Sequence, residues 1–76
     1  MSAERVVIMR VVVEAVDEAR GPVPDEELPG RSGLAYRLCQ LGIRAAEQSG
    51  YVSWSLSPEG WSLLAAGERC VAAWHR

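Results

Sequence analysis

Four side chains in the middle of the chain have the types and spacing to read base-pair edges. Arg37, Gln40, Arg44 and Gln48 follow one another at intervals of three, four and four residues. Wrapped on a helix at about 100° per residue they fall within roughly 80° of arc, with Glu47 beside them. In the major groove Arg pairs with guanine and Gln with adenine, each through two hydrogen bonds. Around this ridge Leu34, Ala35, Leu38, Cys39, Leu41, Ile43, Ala45 and Ala46 are apolar, as a helix held on its domain by its other faces requires. The same stripe also suits the solvated face of an ordinary core helix, so the ridge alone leaves both readings open.

Other chemistry finds little to work with. The sequence has no G-x-S-x-G elbow, no H-E-x-x-H, no phosphate-cradling G-x-x-x-x-G-K-[ST] and no His near a candidate nucleophile, so no enzyme is expected. Asp25, Glu26 and Glu27 are consecutive and point in different directions on a short helix, which suits a helix start better than paired catalytic carboxylates. Cys39 and Cys70 lie among apolar residues and read as reduced core thiols. Cys70 and His75 could at most begin a metal site whose further ligands are missing. No metal and no cofactor are expected.

The elements that must carry the ridge can be read from the flanking residues. In Ala3 to Arg20 the β-branched residues Val6, Val7, Ile8, Val11, Val12 and Val13 favour a strand. Yet Arg10, Glu14, Asp17 and Glu18 gather on one arc at helical period, with Met9, Val12, Val13, Val16 and Ala19 opposite, which predicts an amphipathic helix. Val7 and Val11 flank its polar stripe and suggest a second buried surface in a dimer. Gly21, Pro22 and Pro24 end this helix; Asp25 then caps a helix of about one turn, broken by Gly30, Ser32 and Gly33. The ridge helix runs from about Leu34 to Ser49, with Gly42 permitting close packing and Gly50 in the C-terminal cap. Tyr51, Val52 and Trp54 have strand character. Ser57 as N-cap and Pro58 at the first helical position predict a last helix from there to Trp74, with Trp61 at its edge against Trp54. The core is expected to combine Val12, Val16, Leu38, Ile43, Trp54, Leu64 and Val71.

In this order the segments EELPGRSGL (Glu26 to Leu34), SGYV (Ser49 to Val52) and LSPEGWSLLAAG (Leu56 to Gly67) resemble the winged helix-turn-helix domains of bacterial regulators of the multiple-antibiotic-resistance repressor type. The resemblance spans about residues 5 to 70 and rests on short phrases. It implies a mainly α, winged helix-turn-helix-like domain of three to four helices with a minimal β element, occupying residues 1 to 76 as one domain. By the family's pattern Ser32, Tyr36, Arg37, Gln40 and Arg44 face DNA, and Arg31 is expected to extend the Arg37/Arg44 ridge as a further DNA contact. One departure stands out: Ser53 to Leu56 are too few for two paired strands and a turn, so a wing contact is expected to be lost. The strand is instead expected to pair near Val23 or with a partner chain.

Charge is divided along the chain. The net charge is −2 with an isoelectric point near 5.3, unlike a generic phosphate binder. Residues 1 to 30 hold three Arg against seven carboxylates, whereas residues 31 to 56 hold Arg31, Arg37 and Arg44 against Glu47 alone. All eight basic residues are Arg, which suits paired contacts to guanine or phosphate but also follows from a GC-rich coding bias, so no weight rests on it. Without an apolar run of membrane length or a cationic leader, a cytoplasmic protein is expected. The function expected is a small transcriptional regulator that binds double-stranded DNA as a homodimer, of the kind carried on a phage or other mobile element. The alternative is a protein-interaction module, a winged-helix adaptor or small inhibitor that engages a protein partner.

Overall fold

Met9, Val12, Val13, Ala15 and Val16 are the buried residues of the first helix, α1 (Ala3–Ala19), and their spacing is helical. This burial decides between helix and strand. Each Val costs roughly half a kcal/mol of helix propensity, while burying its side chain returns about 1.5 kcal/mol or more. The Ser2 hydroxyl caps the start by accepting from the Arg5 N–H at 3.2 Å. Arg20 closes the other end in the left-handed region, its N–H bonded to the Asp17 carbonyl. The computed structural model describes residues 2–76.

After Pro22 a 3-10 turn (Asp25–Glu27) leads directly into α2 (Leu28–Ser32), so the helical stretch is a little over two turns long, not one. Gly30 and Ser32 lie inside α2, and Gly33 alone makes the break, at φ 77° with its N–H on the Pro29 carbonyl. Asp25 does not cap the turn: its carboxylate accepts from Trp61 Nε1 at 2.6 Å.

Helix α3 (Tyr36–Gln48) packs on α1 through Cys39, Gly42, Ile43, Ala45 and Ala46. Gly42 permits the approach, because a Cβ there would lie 2.9 Å from Val12 Cγ2 and 3.0 Å from the Ile8 carbonyl oxygen. The C-terminus closes as expected at Gly50 (φ 77°), the Gly50 N–H reaching the Glu47 carbonyl and the Tyr51 N–H the Ala46 carbonyl, the paired bonds of a Schellman motif.

The expectation of a helix beginning at Ser57 and Pro58 is overturned. These two residues, joined by a cis peptide bond, form the turn of an antiparallel hairpin between β1 (Val52–Leu56) and β2 (Glu59–Leu63). The last helix, α4 (Ala65–Trp74), begins only after Leu64. A wing of two five-residue strands is therefore present. Ser-Pro-Glu-Gly suits a turn as well as a helix start. The strand wins because it pairs Trp54 with Trp61 and Val52 with Leu63 on one face. The two indoles meet edge to face, 5.2 Å between centroids. Val23 does join the sheet, but on the far side of β2: its N–H and C=O both bond Trp61, each at 2.9 Å. Gly60 makes room, since a Cβ there would lie 2.6 Å from the Val23 nitrogen.

The result is a mainly α, winged-helix-like domain of four helices and a two-stranded hairpin. Val12, Val16, Ile43 and Val71 sit in one core cluster, with Trp54 half-buried against it. Two expected core residues are not there. Leu64 is 40 % exposed because it precedes α4 instead of lying within it. Leu38 is half-buried, its place at the centre of the α3 interface being taken by the neighbouring Cys39.

Candidate nucleic-acid interface

Helix α3 buries Cys39, Ile43 and Ala46, at i, i+4 and i+7, so its outward line is Arg37, Leu41, Arg44 and Gln48. All four are exposed. Arg37 and Arg44 are two turns apart, about 10 Å along the axis and within about 20° of the same direction. Among the described residues neither takes part in an ion pair, and Glu47, although exposed beside Arg44, does not bridge to it. Leu41, expected on the apolar side, is exposed between the two guanidinium groups.

Tyr36 occupies the first position of α3 and is 54 % exposed. The preceding residue, Ala35, has no side-chain acceptor for the first-turn N–H groups. Leu38 and Cys39 both donate to the Ala35 carbonyl, and no hydrogen bond to protein is found for the Tyr36 or Arg37 N–H among the described residues. The partial positive charge of a helix N-terminus therefore meets Tyr36 and Arg37 without a carboxylate to neutralise it.

The remaining expected contact residues are less available. Ser32 is half-buried, and its hydroxyl holds the α2–α3 connection by accepting from the Leu34 N–H at 3.1 Å and lying 3.3 Å from Cys39 Sγ. It is the last residue of α2, and its side chain is taken up by the connection. Arg31 is exposed but lies 3.7 Å from the Glu27 carboxylate, one turn back, an exposed pair that solvent screens. Gln40 is half-buried, and its Nε2 is enclosed with no hydrogen-bond partner. The one-residue rotation that placed Cys39 in the core drew Gln40 inward and turned Leu41 out.

The hairpin adds residues that sequence reasoning missed. Leu56 at its tip is 84 % exposed, and Glu59 stands opposite it in register. Ser53, Ser55 and Ser62 share the other face with Gly60. The wing carries one charge, the Glu59 carboxylate, and no basic residue. Its signal was present as the alternation of Val52, Trp54 and Leu56 and of Trp61 and Leu63 on either side of Ser57 and Pro58, a hairpin pattern.

Elsewhere, a surface groove of about 390 Å³ runs between the end of α1, β2 and α4, with Asp17, Arg20, Ser62 and Glu68 in its walls. Among the described residues no group of three His, Cys, Asp or Glu could hold a metal ion, and no helix is long and apolar enough to cross a membrane. Cys39 is buried in α3 and Cys70 half-buried in α4, both as free thiols. Comparison with protein-family models, with curated proteins and with solved structures finds no match to this chain.

Proposed function

We propose that the chain is a small, cytoplasmic DNA-binding transcriptional regulator that lays α3 in the major groove. The observation that carries this reading is the pair of exposed Arg37 and Arg44 side chains, unbridged by carboxylates, on one face of a helix reached through the Gly33 break. A major groove roughly 12 Å wide admits an α-helix, and two Arg residues about 10 Å apart along one face of that helix can both reach into it. Leu41 between them offers an apolar contact for a thymine methyl, and the uncapped start of α3 offers N–H groups to a phosphate. The order of segments and their resemblance to winged-helix regulators of the multiple-antibiotic-resistance repressor type point the same way. Three Arg make few phosphate contacts, so the reading includes a homodimer that doubles them on two half-sites.

A second reading, a protein-interaction module, is favoured by the wing: a Leu56 that is 84 % exposed beside the Glu59 carboxylate suits a protein surface better than a phosphate backbone. Binding to mixed-sequence duplex DNA, followed by fluorescence anisotropy across a salt series, separates the two. On the regulator reading binding weakens as salt rises, and Arg37→Ala and Arg44→Ala each weaken it without loss of fold. A base-contacting Arg loses about 1 to 3 kcal/mol and relaxes preference at one position, whereas a phosphate-contacting Arg weakens all sequences alike and lowers the salt slope by about one. Absence of binding at low salt, or an affinity indifferent to both substitutions, rejects the regulator in favour of the interaction module.

A further inference from the structure

The buried line of α3 fixes which of its side chains reach farthest into anything the helix is laid against. Cys39, Ile43 and Ala46 form that line. At about 100° per residue, Arg37, Leu41 and Arg44 lie within roughly 50° of the opposite direction, whereas Gln40 and Glu47 lie roughly 85 to 105° away from it. The first three are exposed, and they follow one another at about 6 and 4.5 Å along the axis. Gln48 continues the same line but stands about 16 Å from Arg37, beyond the first turns through which a recognition helix touches base edges. With α3 in a major groove, Arg37, Leu41 and Arg44 therefore face its floor, and Gln40 and Glu47 face one wall of phosphates.

Each of the three selects a base by what it lacks as well as by what it offers. A guanidinium only donates, and guanine alone presents two neighbouring acceptors, O6 and N7, to the major groove. Leu41 neither donates nor accepts. An amino group of adenine or cytosine beneath it would give up water without a replacement, while the thymine methyl meets it favourably. The adenine contact of a glutamine is absent from the floor, because Gln40 is half-buried with its Nε2 enclosed. We propose, resting on the DNA-binding reading above, that each half-site holds two guanines about three base-pair steps apart, one each for Arg37 and Arg44, with a thymine between them for Leu41. The spacing follows from about 10 Å of helix against about 3.4 Å per base step. Exposed Glu47 beside a phosphate wall and a wing without basic residues keep the sequence-independent affinity low, so these three base contacts dominate the choice of site.

Selection from a pool of duplexes with a randomised segment, followed by fluorescence anisotropy on the enriched duplex and on its base analogues, tests the proposal. The pool should enrich guanine, thymine and guanine in that spacing. Replacing either guanine with 7-deazaguanine, which lacks the N7 acceptor, should weaken wild-type binding about threefold or more. Arg37→Ala should lose the sensitivity at one guanine and Arg44→Ala at the other. Uracil in place of the thymine removes one methyl and should weaken wild-type binding about fourfold, with no effect on Leu41→Ala. The analogues leave the protein intact, so their effect on the wild type decides even where a variant fails to fold. Salt-dependent binding with no enriched sequence overturns the proposal and leaves DNA binding standing. The same holds for an enriched site that tolerates either kind of analogue, or for an enriched adenine whose contact is lost in Gln40→Ala. Absence of binding at low salt overturns this proposal and the DNA-binding reading together.

Discussion

One chemical change, Gly→Ala, should have three different outcomes in the helices of this domain. Position 30 lies in α2 with nothing within 4 Å of the added methyl, so only the helix propensity and unfolded-state terms act, and Gly30→Ala should stabilise by about 0.5 to 1 kcal/mol. At position 42 the same gain meets Val12 Cγ2 at 2.9 Å and both Ile8 Cγ2 and the Ile8 carbonyl oxygen at 3.0 Å. Carbon atoms pack comfortably at about 3.5 to 4.0 Å, so α1 and α3 must separate by several tenths of an ångström. Overpacking of this kind costs about 1 to 3 kcal/mol, and the propensity gain returns about 1, leaving a net loss of up to about 2 kcal/mol. At position 67 the methyl would sit 2.3 Å from the Tyr51 carbonyl oxygen. That oxygen is backbone and already accepts the Leu64 N–H, so it cannot yield without opening the base of the hairpin. Gly67→Ala should lose about 2 kcal/mol or more after the propensity gain. Urea unfolding followed by far-ultraviolet circular dichroism measures all three. With a slope near 1 kcal/mol per molar urea for so small a chain, a 2 kcal/mol loss moves the midpoint by about 2 M. The packing argument fails if Gly67→Ala unfolds at or above the wild-type midpoint, or if the three variants shift alike.

Ile43→Ala should cost about 2 to 5 kcal/mol because it empties the centre of the α1–α3 interface, whereas Leu64→Ala, at the exposed start of α4, should stay within about 0.5 kcal/mol; equal losses in chemical denaturation would contradict this core. Asp25→Ala removes the acceptor for Trp61 Nε1 and should cost about 1.5 to 3 kcal/mol, with a change in indole fluorescence; an unaltered midpoint would show the bond to be dispensable. Hydrogen bonding to the Cys70 side chain, its charge once ionised, and partial burial raise the Tyr51 hydroxyl above its ordinary value of 10.0. The folded state thus favours the neutral phenol, and this contribution to stability is present below the unfolded value and lost as pH rises through the folded one. Phenolate absorbance should show Tyr51 ionising at lower pH in Cys70→Ser than in wild type, and an identical titration would remove Cys70 as the cause.

Much of the helical framework was legible in the residues themselves. Helical period overrode the β preference of the seven Val and Ile residues in α1 because the polar stripe of Arg10, Glu14, Asp17 and Glu18 is an arc on a helix and no pattern at all on a strand. Gly50 marked the end of α3 because few residues other than glycine accept its backbone angle, and Gly42 marked a close approach because an apolar helix has little other reason for a glycine. The outward direction of Arg37 and Arg44 followed from the same periodicity. Three features depended on partners distant in sequence. Ser57 and Pro58 fit a helix start and a turn equally well, and the choice fell to the turn only because Trp61 finds Trp54 on one side, Val23 on the other and Asp25 at its indole nitrogen. Whether Leu38 or Cys39 centres the α3 interface is one step of rotation, which local pattern does not resolve. Packing against α1 sets it, and with it Gln40 turns inward and Leu41 outward. Ser32 and Asp25 carry groups that suit a ligand or a helix cap, and the neighbours each one meets, Leu34 and Cys39 for the first and Trp61 for the second, gave both of them to the fold. Periodicity is a property of a segment and can be read locally, whereas the partner of a strand, the phase of a helix and the use of a polar side chain are settled where segments meet.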